Sequence, residues 1–230
     1  MLVTDEINVR YLSGFTGDSS SLVVTPRETT ILSDGRYSAQ IAEQCTGIET
    51  RIRSSTQLLR DLTSEVLLGA GVKRVAIEAD NMTLDEFRFF ESGFEGIELV
   101  PTTGRVAKLR MIKDEAEIDA TRRAVKIAEQ VFTEICPTFT REHTEVAVAH
   151  EIEHRMRLLG AEGCSFPPIV AAGPGGALPH YQPQNVAFAD HPSLLIDWGA
   201  TFDGYASDLT RTLHQNHASD AFKRAYQGVL

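Results

Sequence analysis

Asp197 and Asp208 are the residues whose types and spacing most directly suggest chemistry. They lie in the run 194–212, where Asp203-Gly204 is a strong hairpin-turn signal, because a type I′ turn needs positive φ at both central positions. With that pair as the loop, Phe202 faces Tyr205, Thr201 faces Ala206, Gly199 faces Asp208 and Asp197 faces Thr210. Alternation along a strand then puts Asp197, Gly199 and Thr201 on one face with Thr210, Asp208 and Ala206. The two carboxylates become diagonal neighbours, roughly 7–8 Å apart at Cβ or somewhat less. Carboxylates reaching inward from that distance can bracket two divalent ions about 3.5–4 Å apart; without a cation they would repel. Spacing alone leaves a plainer alternative open. Asp is common at strand ends and turns because its side chain bonds nearby backbone, and Asp203 is of that kind.

Other motifs compete for attention. His150-Glu151-Ile152-Glu153-His154 is a literal H-E-x-x-H, the helical zinc motif of many metalloproteases. At about 100° per residue, though, Val148, Ile152, Met156 and Leu159 form the apolar stripe, and both histidines fall opposite it. Glu153 and Arg155 flank the second histidine, and no third ligand follows, so the segment reads as a solvated helix face. Gly173-Pro-Gly175-Gly176 lacks the Lys-Ser/Thr of a phosphate loop and reads as a turn leading toward His180. Ser207 and Thr210 have no histidine placed to activate a hydroxyl nucleophile. His214 shares strand parity with Asp208 but lies roughly 20 Å along the strand, at about 3.3 Å per residue, and metal–nitrogen bonds are only about 2 Å. His214 and His217 are both expected in a solvated turn.

Several segments, in order, resemble one known family. Arg110 through Ile118, Gly160 through Pro167, Ile169 through His180, and the two arms of the hairpin resemble the catalytic domain of Xaa-Pro aminopeptidases, prolidases, methionine aminopeptidases and creatinase. Asn8 through Gly17 and Ser33-Asp34-Gly35-Arg36-Tyr37 resemble the non-catalytic N-terminal domain of Xaa-Pro aminopeptidases. The resemblance covers essentially all 230 residues. It implies an α/β creatinase-like N-terminal domain over residues 1–106 and an α+β partial pita-bread metallopeptidase domain, first half only, over 107–230. It also implies a dinuclear-metal hydrolase, with manganese as the expected metal, that removes the N-terminal residue from peptides with proline second.

By the same resemblance Asp197 and Asp208 are metal ligands, Asp208 the bridging one, and His180 contacts substrate near the scissile bond. The family's remaining ligands, a His and two Glu, find no match, since no glutamate follows Glu162. Met1-Leu2-Val3-Thr4 resembles the first strand of the N-terminal domain, without the helix that usually precedes it. The chain therefore reads as an incomplete copy of a longer enzyme with little activity alone. A non-catalytic peptide- or protein-binding module, or one half of a split enzyme, is the alternative. The expected partners are a peptide substrate and either a second copy in a homodimer or a complementary chain.

The elements that must position these residues follow from periodicity. Strands are expected at 22–25, 30–33, 48–52, 75–78 and 97–100, and helices at 37–44, 57–68 and 84–91, the last opened by a Thr83/Glu86 capping box. Asp114 and Glu117 form a second capping box, ahead of an apolar stripe of Ile118, Val125, Ala128, Val131 or Phe132, and Ile135. Pro137 ends that helix; another runs from Thr144 to a stop at Gly160. Strands at 168–172, 194–196 and 205–213 and a helix at 219–229 complete the reading, so that two helices cover an antiparallel sheet.

Composition sets outer bounds. A hydrophobic fraction of 42% and a charged fraction of 23% are those of a globular chain. A net charge of −10 argues against nucleic acid or an anionic membrane as partner. Cys45, Cys136 and Cys164 are scattered without metal spacing, which points to a reducing, cytoplasmic setting. No signal-peptide pattern and no apolar run of membrane-spanning length is present in the sequence.

Overall fold

Leu2-Val3, Leu22-Val23 and Ile31-Leu32 each send neighbouring side chains into different cores, the signature of a sheet covered on both faces. The computed structural model describes residues 1–215 and 217–229, and divides into two units, Met1–Ile112 and Lys113–Leu230. In the first unit the order is β1 (Leu2–Val3), α1 (Glu6–Ser13), β2 (Ser21–Val24), β3 (Thr29–Ser33), α2 (Ser38–Gln44) and β4 (Glu49–Ile52). There follow α3 (Leu59–Gly69), β5 (Arg74–Glu78), α4 (Leu84–Gly93), β6 (Glu98–Thr102) and α5 (Arg105–Met111). The sheet runs β1-β2-β3-β4, with β3 and β4 parallel, and β5 pairs with β6 in parallel. Leu2, Val23 and Leu32 pack on Leu62, Leu67, Phe90 and Phe94 of α3, α4 and the residue after it; Val3, Leu22 and Ile31 pack on Val9, Ile41 and Val106 of α1, α2 and α5. This is an α/β layering.

Two helices of this unit were not assigned from sequence. The first, α1, is capped by Asp5, which accepts from the Asn8 amide at 2.9 Å, and is closed by Gly14 at φ 77°. The second, α5, occupies the stretch where the domain boundary was expected. The expected boundary at 106/107 falls inside α5, whose Val106 is buried in the first unit's core; the two units divide at Ile112/Lys113.

The second unit runs α6 (Glu115–Ile135), α7 (Glu145–Leu158), β7 (Gly163–Cys164), β8 (Ile169–Ala172), β9 (Ser193–Trp198), β10 (Ala200–Phe202), β11 (Tyr205–Ala206), β12 (Leu209–His214) and α8 (Asp220–Val229). Two antiparallel three-stranded sheets result, β12-β9-β8 and β11-β10-β7. One core joins Ile127, Val131, Ile135, Val148, Ile152 and Met156 of the helices to Val170, Leu194, Ile196 and Trp198 of the strands. Ile118 and Val125, expected in the stripe of α6, are only half-buried, while Ala120 and Ala124 are buried in their place. The alanines let the hairpin approach the helix axis: Trp198 donates to the Ala128 carbonyl at 2.9 Å and Ser207 to the Ala124 carbonyl at 3.2 Å. Among the described residues no helix is long and apolar enough to cross a membrane.

Candidate metal centre

Asp203 and Gly204 both have positive φ, 50° and 77°, as a type I′ turn requires. The register is the expected one: Phe202 pairs with Tyr205, Thr201 with Ala206 and Asp197 with Thr210. Leu194, Ile196 and Trp198 are buried against the helices, so Leu195 and Asp197 point from the opposite face of β9. Asp197 is half-buried there, and its Oδ1 accepts from the Thr210 hydroxyl at 2.9 Å. Burial pushes the Asp197 carboxyl above the usual range; the Thr210 bond opposes this, and the charge of Asp208 raises it further. The charge of Asp208 is thus felt at Asp197 from an exposed position where β11 gives way to β12.

The strand expected over 205–213 is interrupted at Ser207-Asp208, and the cause is local. Ser207 is buried and turns its hydroxyl into the ladder, accepting from the Ala200 amide at 2.9 Å, while its own amide donates to the Ala200 carbonyl at 2.9 Å. Its carbonyl accepts from the Ser165 hydroxyl at 2.7 Å. Gly199 sits beneath this crossing: a Cβ there would lie 1.9 Å from the Ser207 carbonyl oxygen and 2.2 Å from the Ser165 Oγ. Only glycine fits. At the other end of the hairpin, Tyr205 donates to Glu117 of the first capping turn of α6 at 2.8 Å.

His180 lies in an exposed turn that follows the short 3-10 segment Gly173–Ala177. That segment folds over the carboxylate face of the sheet: a Cβ on Gly176 would meet the Leu195 Cβ at 3.4 Å, and Leu195 shares its face with Asp197. The H-E-x-x-H histidines, His150 and His154, are exposed on α7, opposite the buried Val148, Ile152 and Met156. Glu151 is instead paired with Arg155 at 2.7 Å. Among the described residues no three His, Cys, Asp or Glu side chains are grouped to hold an ion. His214 ends β12 rather than lying in a turn, because the ladder with β9 runs on to the His214–Ser193 pair; the Phe222 ring lies 4.8 Å from its imidazole. His217 is exposed.

Sequence reasoning missed Glu145. It is wholly buried at the first position of α7 and accepts from the Ala172 amide at 2.7 Å, the Gln184 amide at 2.8 Å and the Tyr181 hydroxyl at 2.9 Å. Nothing in its local sequence marks it, since its partners lie 27 to 39 positions away.

Residues 119–230 match the metallopeptidase family M24, and residues 1–112 match the creatinase/prolidase N-terminal domain. The chain joins a creatinase-like N-terminal domain to part of an M24 pita-bread domain. The chain is 35% identical over its whole length to the uncharacterized peptidase YqhT of Bacillus subtilis and 27% identical to a putative Xaa-Pro aminopeptidase of Mycoplasma pneumoniae. Among solved structures, a Xaa-Pro dipeptidase from Bacillus anthracis superposes with a TM-score of 0.91 at 31% identity over 98% of this chain. An X-Pro aminopeptidase from Thermotoga maritima does so at 0.88 and 30% over 97%. The chain spans 65% of the Bacillus subtilis relative and 63% of the other three. The family is one of metallopeptidases, and the hairpin with Asp197 and Asp208 lies within its matched region.

Proposed function

We propose that this polypeptide is part of a dinuclear-metal hydrolase that removes the N-terminal residue from peptides with proline second. The observation that carries the proposal is the carboxylate pair on one hairpin within an M24 domain: Asp197 is half-buried, its carboxyl raised first by that burial and further by the charge of Asp208. The donor set fits a divalent cation in part. Asp197 and Asp208 are two hard oxygen donors near enough for the charge of one to be felt at the other, and a cation between them would relieve their repulsion. Asp197 and Asp208 would hold the ions, manganese in this proposal, and those ions would supply an acidified water and a Lewis acid for the peptide carbonyl. Thr210 holds the Asp197 carboxylate in one orientation. His180 would orient the reacting peptide from the turn after Ala177. The scattered free cysteines support a reducing, cytoplasmic setting.

Two carboxylates alone should bind divalent ions weakly, since such ions keep their waters unless several ligands replace them. The 230-residue polypeptide with manganese is therefore expected to turn over an Xaa-Pro peptide negligibly. Mixed with a polypeptide that supplies the His and two Glu ligands the resemblance implies and this sequence does not contain, it should cleave that peptide, and Asp208→Asn should abolish the cleavage. Robust turnover by the polypeptide alone, or none from a mixed complex shown to form, contradicts the proposal.

A further inference from the structure

Glu145 is a carboxylate with no exposure and three donors, one at the entry to a single loop and two near its exit. The Ala172 amide lies at the end of β8, just before the segment Gly173–Ala177; the Tyr181 hydroxyl and Gln184 amide lie just after His180. One side chain thus closes both ends of the 173–184 loop onto the first turn of α7, whose N-terminal dipole favours a negative charge there. Backbone bonds reinforce the clasp, from the Glu145 amide to the Val186 carbonyl at 3.1 Å and from the Val146 amide to the Gln184 carbonyl at 3.3 Å. Within the loop, the Tyr181 ring lies against Gly175, where a Cβ would meet it at 2.9 Å, and Gly176 lies against Leu195 on the Asp197 side of the sheet. The loop is therefore pressed on the carboxylate face and fastened from beneath by a buried acid.

We infer that Glu145 is a positioning residue: by clasping Ala172, Tyr181 and Gln184 it holds the loop that carries His180 over the Asp197–Asp208 face. The inference rests on the proposed metal reading of those two aspartates. A buried acid whose only task was to stabilise α7 could be satisfied by any nearby donors; here every donor comes from the two flanks of His180. Glutamine cannot replace it, since its amide group would present donors to a donor on one side. Tyr181→Phe removes one bond, keeps the ring on Gly175 and leaves both backbone donors paired, so it is the milder test.

The experiment adds manganese alone to the isotopically labelled 230-residue protein and reads paramagnetic broadening of the Thr210 amide and of the His180 ring protons. In the wild type both should broaden. In Glu145→Gln the Thr210 signal should broaden as before while His180 broadening falls several-fold, and Tyr181→Phe should show a smaller fall. A merely structural role would lower the melting temperature and leave the ratio of the two signals unchanged; that result overturns the inference. Should Glu145→Gln not fold, an unchanged ratio in Tyr181→Phe overturns it equally. No broadening at Thr210 in the wild type sinks the metal reading itself, and the inference with it.

Discussion

Gly199 decides the geometry of the hairpin at the level of single atoms. A methyl group there would overlap the Ser207 carbonyl oxygen at 1.9 Å, backbone that cannot move aside without losing its bonds to Ala200 and Ser165. Gly199→Ala should therefore lower stability by about 1–3 kcal/mol, as overpacking does, and a urea titration would show it. A loss below about 0.5 kcal/mol would mean that the crossing is softer than described. Asp34 makes a second residue-scale case. Its carboxyl is held down at about 2 by bonds from the Arg36 side chain and amide, with Arg53 also nearby at 3.5 Å. A depressed carboxyl adds stability above its ordinary value of 3.8 and loses it as pH falls toward about 2. Asp34→Asn should thus melt lower than the wild type at neutral pH, with the gap closing over that acid window. At this scale the hairpin was legible because a turn dipeptide fixes register and register fixes facing. Glu145, Ser165 and Ser207 were not, because their partners arrive only through the tertiary fold.

Helix α6 shows what a periodic pattern conceals. Its start at the Asp114–Glu117 capping box and its stop near Pro137 were readable from side chains that act on backbone a few positions away. Its buried face differs from the expected one in the first three turns, where the larger Ile118 and Val125 outrank Ala120 and Ala124 by hydrophobicity. Hydrophobicity favours the large residues, but close approach of β10 and β11 favours the small ones. Ala124→Leu should accordingly cost about 1–3 kcal/mol, and Val125→Ala less than about 1 kcal/mol, in thermal unfolding of the same protein. Reversal of that order would restore the original stripe. The unassigned α1 and α5 are short helices with weak patterns: α1 is stabilised by its Asp5 cap and the burial of Val9, α5 by the burial of Val106.

For the whole molecule, the helices of the second unit back one face of its sheets and leave Asp197, Leu195 and Thr210 on the opposite face, the one that the 173–184 loop packs on. Fold class and hairpin register were legible in the sequence, and the family matches carry the same architecture. The central claim is that Asp197 and Asp208 together make a cation cradle. Titration calorimetry of manganese into the 230-residue protein tests it most directly. The wild type should show saturable, weak binding, lost in both Asp197→Asn and Asp208→Asn while both variants keep the wild-type fold. No binding by the wild type, or equal binding by either variant, would contradict the account.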